Sequence, residues 1–390
     1  MNNITIDKTG WKKWRFDEVC RQVNTSSKDP VADGLHYVIG LEHIEPGNLH
    51  ITKWDTLEKE TTFTRKFVKG QVLFGRRRAY QRKVAYAEFD GICSGDILVF
   101  EAIEENLIPE LLPFLIQSDG FFEKALATSA GSLSPRTKFK ELADYEFLLP
   151  PKSEQKRLAE LLWAADEMIE KEKKEKLELE SFRKSRQKDI FNSTNLYLRL
   201  KDLPFEEING LWKTDDEDFI NVCVIRSTEF SDYGNICFDK LEPMPVKIAQ
   251  YKTRKLWPGD IIVERSGGGP DQPVGRVCWF EKEDGEYSFS NFTSCIRVKN
   301  NNVIIPKYLF YFLEYYWEMG GTDRIQNQTT GIRNLDYDLY KMIKIPIFDL
   351  EKQEQAICEF EKVLNSIYNL KYKIDLALQL KQEIVNNIFK

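Results

Sequence analysis

Arg76, Arg77, Arg78, Arg82 and Lys83 crowd five cations into eight positions, at the end of a stretch from Thr64 to Lys83 holding eight Lys or Arg and no acid. Guanidinium groups fork onto paired acceptors, so such a cluster suits phosphate oxygens or the O6 and N7 edge of guanine. An arginine run also reads as a solvated face. The strand-like run from Gln71 to Phe74 leads into the cluster, which places it on a loop at a strand's end. About 190 residues later GDIIVERSGGGPDQPVGRV repeats the pattern of GQVLFGRRRAYQRKVAY. There Glu264, Arg265, Ser266, Gly267, Gly268, Gly269, Asp271 and Gln272 fill the matching loop. Glycines allow a backbone to approach a phosphate or groove closely, and the Gln272 amide can pair with adenine N6 and N7. A flexible hairpin is the plainer alternative.

Two further loops carry similar chemistry: Ser134, Arg136, Thr137 and Lys138 in the first half, and Thr330, Arg333 and Asn334 in the second. Each precedes a short helical pattern, so a contact role and a helix-capping role both fit. Other chemistry is missing. His36, His43 and His50 recur every seven residues, but the intervening Gly and Pro make a strand-turn segment, and no metal site is expected. Seven cysteines with no CxxC pair indicate neither a disulfide framework nor a zinc cluster, and are read as reduced, mostly buried thiols. No phosphate-cradling GxxxxGK, amine-binding Asn-Pro-Pro-Tyr, glycine-rich cofactor loop or paired acidic nuclease signature occurs. The Gly267–Gly269 triplet runs into Pro270 without a Lys-Ser or Lys-Thr. Catalysis has to come from a partner.

At 390 residues the chain has room for two domains with cores of their own. Hydrophobic content of 42%, charged content of 30% and 13% aromatics describe a soluble protein, with no run long enough for a membrane helix. The opening MNNITIDKTGWKKW lacks the apolar core and cleavage site of a signal peptide, so a cytoplasmic location is expected. A net charge of -6 opposes polyanion binding only if acid is evenly spread. It is not: the excess lies in Asp215 to Asp218 and along the helical segments. The aromatics Trp11, Trp14, Trp54, Tyr80, Trp257, Trp279, Tyr315, Tyr316 and Trp317 read as packing residues.

What positions these loops is a repeat. LLPPKSEQKRLAELL and IPIFDLEKQEQAICEF each run from a proline-containing strand through a Glu-Gln pair (Glu154 and Gln155; Glu354 and Gln355) into a long helical pattern. AGSLSPRTKFKELADYEFLLPP parallels TTGIRNLDYDLYKMIKIPIF, and YVIGLEHIEPGNL loosely parallels CVIRSTEFSDYGNI. Along the second long segment Ile357, Phe360, Leu364, Ile367, Lys371, Ile374, Leu378, Lys381, Val385 and Ile388 step by threes and fours, a coiled-coil seam. Along the first, the same spacing falls on Leu158, Leu161, Ala165, Met168, Glu172, Glu175, Leu179, Phe182, Arg186 and Asp189. Antiparallel pairing about the midpoints would bring Glu172 and Glu175 near Lys371, a polar contact that fixes register. A solvated EKEKKEKLE face is equally compatible. Each helix, about 36 residues and about 54 Å long, acts as a spacer. Two domains so spaced and related by a pseudo-twofold axis match DNA with two half-sites.

The tandem order, the Pro and Glu-Gln entry to each helix, and the Gly-Gln-Val-Leu or Gly-Asp-Ile-Ile strand before a basic or glycine-rich loop resemble type I restriction-modification specificity subunits. The likeness runs from about Trp11 to Phe389. It departs from the usual pattern at Glu146, where the second repeat has Pro346, and at Asp349 to Glu351, where a double proline is usual. The resemblance implies an α+β fold: two pseudo-twofold-related α/β target recognition domains separated by a two-helix antiparallel coiled coil. Its boundaries would be residues 1–151 and 196–348 for the domains, 152–195 and 349–390 for the helices. It implies a non-catalytic reader of a bipartite, asymmetric target in double-stranded DNA, one half-site per domain. DNA contacts are expected at Arg76, Arg77, Arg78, Arg82, Lys83, Arg136, Lys138, Arg265, Ser266, Gly267, Gly268, Gln272, Arg333 and Asn334. Two methyltransferase subunits modifying adenine with S-adenosylmethionine, and motor-nuclease subunits using ATP and magnesium, would be its partners. The reader of a fused type II restriction-methylation enzyme and a coiled-coil adaptor without DNA are the alternatives.

Overall fold

The computed structural model describes residues 6–58, 61–212, 218–268, 272–329 and 332–390. Gly269, Asp271 and Thr330, named above, and most of the acidic stretch from Asp215 to Asp218 lie outside them. The chain divides into two compact units of mixed α and β structure: Met1–Lys174 with Leu370–Lys390, and Glu175–Asn369. Each unit owns one α/β domain and a stretch of both long helices, Lys152–Phe191 and Leu350–Phe389.

The two domains repeat one topology. In the first, the strands Cys20–Val23, Ile97–Ala102, Val72–Gly75 and Val84–Tyr86 lie side by side in that order, all antiparallel. In the second, Phe205–Asn209, Thr293–Val298, Ile261–Glu264 and Val277–Trp279 do the same. Each domain adds a second sheet, four-stranded in the first and three-stranded in the second, with one parallel pair, Tyr37–Ile39 with Gly91–Cys93 and Phe219–Ile225 with Tyr287–Phe289. Each also has a closing ribbon, Lys12–Arg15 with Glu146–Leu149 and Tyr197–Arg199 with Lys344–Pro346. The strands are Val-, Ile- and Phe-rich because both faces of each central strand are covered: Val72, Leu73 and Phe74, like Ile261, Ile262 and Val263, are fully buried. All seven cysteines are free, and burial pushes the Cys93 thiol up to about 12.

The domain cores extend onto the helices. Ala159 and Leu162 of the first helix pack with Val385, Ile388 and Phe389 of the second in the core of the first unit. One turn further along the first helix, Asp166 meets Lys381. Numbers rise on one helix as they fall on the other, so the pair runs antiparallel here. In the second unit Phe191 packs with Ala356, Phe360 and Leu364.

On the second helix Phe360, Leu364, Ile367, Ile374, Lys381, Val385 and Ile388 are buried as the spacing requires. Ile357 and Leu378 are half-buried and Lys371 is exposed. The first helix corrects the expected seam by one residue. Its buried line is Gln155, Ala159, Leu162, Asp166, Ile169, Arg183, Gln187 and Phe191, while Leu161, Met168 and Phe182 are about half exposed. The apolar residues misled because half of the buried positions, Gln155, Asp166, Arg183 and Gln187, are polar with built-in partners. Arg183, only 1% exposed, reaches Glu314 at 3.0 Å and Glu318 at 2.6 Å. Burial outweighs that arginine at Glu314 and raises its carboxyl above the usual range.

The second repeat's anchor lies two residues before the expected Gln355. The Gln155 amide accepts from Ile108 N at 3.0 Å and donates to the carbonyls of Asn106 at 3.1 Å and Pro150 at 3.0 Å. The same three bonds are made not by Gln355 but by Gln353, with Ile305 N at 2.9 Å, Val303 O at 3.0 Å and Phe348 O at 2.8 Å. Both are the fourth residue of their helix, and both meet an Ile-Pro step, Ile108-Pro109 and Ile305-Pro306.

Candidate nucleic-acid interface

In both domains the loop that leaves the central strand is hydrogen-bonded to the loop that precedes the short helix. In the first, Arg77 bridges Arg136, Arg78 N donates to Pro135 O at 2.8 Å, and Thr137 N donates to Arg76 O at 3.1 Å. In the second, Ser266 pairs with Asn334 and Gly268 with Arg333, and Ser266 Oγ contacts Asn334 Oδ1. Segments about 60 residues apart are thus joined at corresponding places twice over, which the duplicated pattern had implied without showing that they touch.

Asp96 organises the first cluster. It takes a fork from Arg136, Nε at 2.7 Å and Nη2 at 3.2 Å, and lies 3.5 Å from Arg77 Nη1. The Arg136 hydrogen bond, reinforced by the charges of Arg136, Arg77 and Arg76, holds its carboxyl below the usual range. Arg77 also donates to Ser134 Oγ at 3.0 Å. The Arg76 and Arg78 side chains make no hydrogen bond among the described residues, and burial followed by the nearby Arg65 charge lowers the pKa of Arg76. Arg78 and Arg82, at φ 54° and 52°, bracket a 3-10 turn in the left-handed region. Such strain is costly outside glycine and collects at functional sites.

Arg82 and Lys83 are engaged within the domain. Arg82 donates to Gln117 O at 3.2 Å, pairs with Asp119 and lies 4.5 Å over the Phe122 ring. Lys83 donates to Leu41 O. Lys138 is exposed and begins the short helix Phe139–Leu142.

In the second domain Arg265 pairs with Glu207 at 3.2 Å, donates to Asn209 at 3.4 Å and stacks 3.9 Å over Tyr337. Gly267, at φ 115°, gives the strand the bend that a side chain would resist. With its amide turned to match its neighbours, Gln272 accepts from Arg276 at 2.9 Å and 3.1 Å. Beside this ribbon lies a hollow of about 380 Å³ lined by Asn209, Trp212, Arg265, Ser266, Asn291 and Asn334. Trp212 is 66% exposed. Sequence reasoning passed over Asp96, Asn209, Trp212 and Asn291; the acid's place across the sheet from the arginines was the only available signal, and it needs the strand register to be seen.

Of the three residues expected to set helix register, Glu172 is half-buried with one carboxylate oxygen lacking a hydrogen bond, and Glu175 and Lys371 are exposed. Glu42, His43 and Asp55 form a group of metal-ligand types. Gly40 N donates to His43 Nδ1 at 2.9 Å, which leaves the proton on Nε2, facing Asp55 at 3.8 Å. That tautomer has no lone pair to offer an ion there.

Residues 8–181 match the family model for the type I restriction modification DNA specificity domain. The match covers the first domain and most of its long helix, and the resemblance read from the sequence is borne out there. The chain is similar to the type I restriction enzyme EcoDI specificity subunit of Escherichia coli, 26% identical over 167 residues, 42% of this chain and 37% of that one. It is also similar to the putative MjaX specificity subunit of Methanocaldococcus jannaschii, 24% identical over 191 residues, 49% of this chain and 44% of that one. These matches span less than half the length of either relative. The S subunit of the M. genitalium type I system has the same fold, with a TM-score of 0.59 at 14% identity across 100% of this chain and 97% of that one. No helix among the described residues is long and apolar enough to cross a membrane.

Proposed function

We propose that the chain is the DNA sequence-specificity subunit of a type I restriction-modification complex, reading a bipartite target with one half-site per recognition domain. The observation that carries this reading is the twofold recurrence of a joined loop pair at the end of an inner strand of the same four-stranded sheet, basic in one domain and amide- and glycine-rich in the other. Unequal loops on equal scaffolds are what an asymmetric target requires.

The chain itself catalyses nothing and works in the cytoplasm. Two adenine methyltransferase subunits supply S-adenosylmethionine chemistry, and motor-nuclease subunits supply ATP- and magnesium-dependent cleavage. The exposed apolar side chains of the long helices, Leu161, Met168 and Phe182 on one and Tyr372, Leu376 and Leu380 on the other, support a docking role for these rods.

The test is to map methylated adenines in cells carrying this chain with its methyltransferase, then repeat with residues 208–346 exchanged for those of another family member. One half-site should change and the other persist. Both halves changing together, or no methylation tied to this chain, would refute the proposal.

A further inference from the structure

Leu133 is 89% exposed, more than any other large apolar side chain among the described residues. Its loop is not loose. Ala130 and Arg136 exchange two backbone hydrogen bonds, at 3.1 Å and 3.0 Å, closing a turn that Gly131 enters at φ 118°. The turn is pinned to the arginine loop by the Arg77 bond to Ser134 and the Arg78 bond to Pro135. A leucine held rigidly in water gains nothing for the fold, whereas a rigid apolar tip has already met the ordering cost of binding. The second domain repeats the feature: Ile332, just before Arg333 and Asn334 in the matching hairpin, is 48% exposed.

What lies around Leu133 sets its partner. The turn is flanked by Arg76, Arg77, Arg78 and Arg136, with Asp96 neutralising only part of that charge, so the surface favours a polyanion over another apolar protein surface. On duplex DNA the apolar group open to such a tip is the thymine C5-methyl in the major groove. Resting on the DNA-reading role proposed above, we infer that Leu133 is a specificity-determining residue that packs against a thymine methyl while Arg76 and Arg78 hold the adjacent phosphates.

The test uses the full chain with its methyltransferase and duplexes of the mapped target in which each thymine in turn is replaced by deoxyuridine, which lacks only that methyl. One replacement should weaken wild-type binding by about fourfold, the equivalent of one buried methyl-sized group. Leu133→Ala should lose the same factor on the thymine duplex, lose nothing further on the deoxyuridine one, and keep its salt dependence. The inference is overturned if no replacement distinguishes the two proteins, if the target contains no thymine, or if Leu133→Ala weakens binding to unrelated DNA equally. Wild-type protein without any sequence preference is a different result, which removes the DNA-reading role itself.

Discussion

Lys381 of the second long helix donates to Asp166 of the first at 2.5 Å, with the two side chains only 5% and 4% exposed. The second carboxylate oxygen of Asp166 lies 2.8 Å from His50 Nε2, and His50 Nδ1 lies 3.0 Å from Glu88. Two cations and two anions thus tie both helices to the first recognition domain. Asp166→Ala strands Lys381, a buried charge left without its partner, so it should destabilise the full chain by about 3–5 kcal/mol. Adding Lys381→Met should recover much of that loss. Chemical denaturation of the two variants checks it; an additive double variant would mean that the pair is not coupled.

The same network predicts a pH dependence. With a carboxylate on each ring nitrogen, both donate and the imidazole is held as the cation: the Asp166 hydrogen bond, against burial and with the Glu88 bond, raises His50 from 6.5 to about 9. A raised pKa means that the folded state binds the proton more tightly than the unfolded one, so its stabilisation is complete below about 6.5 and is lost as pH rises through about 9. Wild-type Tm should therefore fall more steeply between about pH 7 and pH 10 than that of His50→Gln. Parallel Tm curves would contradict the assignment.

The contrast between the helices explains what was legible in the sequence. The second helix buries what its pattern advertises, Phe360, Leu364, Ile367 and Ile374, so periodicity finds its seam. The first buries Asp166, Arg183 and Gln187, whose partners Lys381, Glu314 and Glu318 are 127 to 215 residues away and invisible to any local window. The loops were legible as a repeated order of blocks, but not which cations are spoken for. Arg82 looks no different from Arg78 until Asp119 and Phe122 fold against it. Gln353 was masked by Gln355 two positions on, although the Ile-Pro steps at Ile108 and Ile305 marked the correct alignment.

Those distinctions divide the basic cluster experimentally. Arg76 and Arg78, whose side chains make no hydrogen bond among the described residues, are the groups with least to lose by turning to phosphate. Replacing each by Ala should weaken DNA binding and lower the slope of log K against log salt by about 1, with little change in Tm. Arg82→Ala should do the reverse, lowering Tm because it removes the cation paired with Asp119 and one of two donors to the Gln117 carbonyl, the other being Gln382. Fluorescence anisotropy across salt concentrations, paired with thermal melts, separates the two; equal effects on both readouts would erase the distinction.

The glutamine staples give the last test, because they join each long helix to its domain through backbone groups rather than side chains. Gln353→Ala leaves the Ile305 N–H and two carbonyls, of Val303 and Phe348, without their partner in a place closed to water by the helix start. An orphaned buried donor costs about 1–3 kcal/mol, so each staple variant should lose about that much. Gln355→Ala, at the exposed position that the sequence repeat alone would select, should lose less than about 0.5 kcal/mol. Because Gln155 and Gln353 share no partner, the double variant should lose the sum of the singles, measured by denaturant titration. A Gln355 effect equal to that of Gln353 would show that the staple is not what anchors the helix.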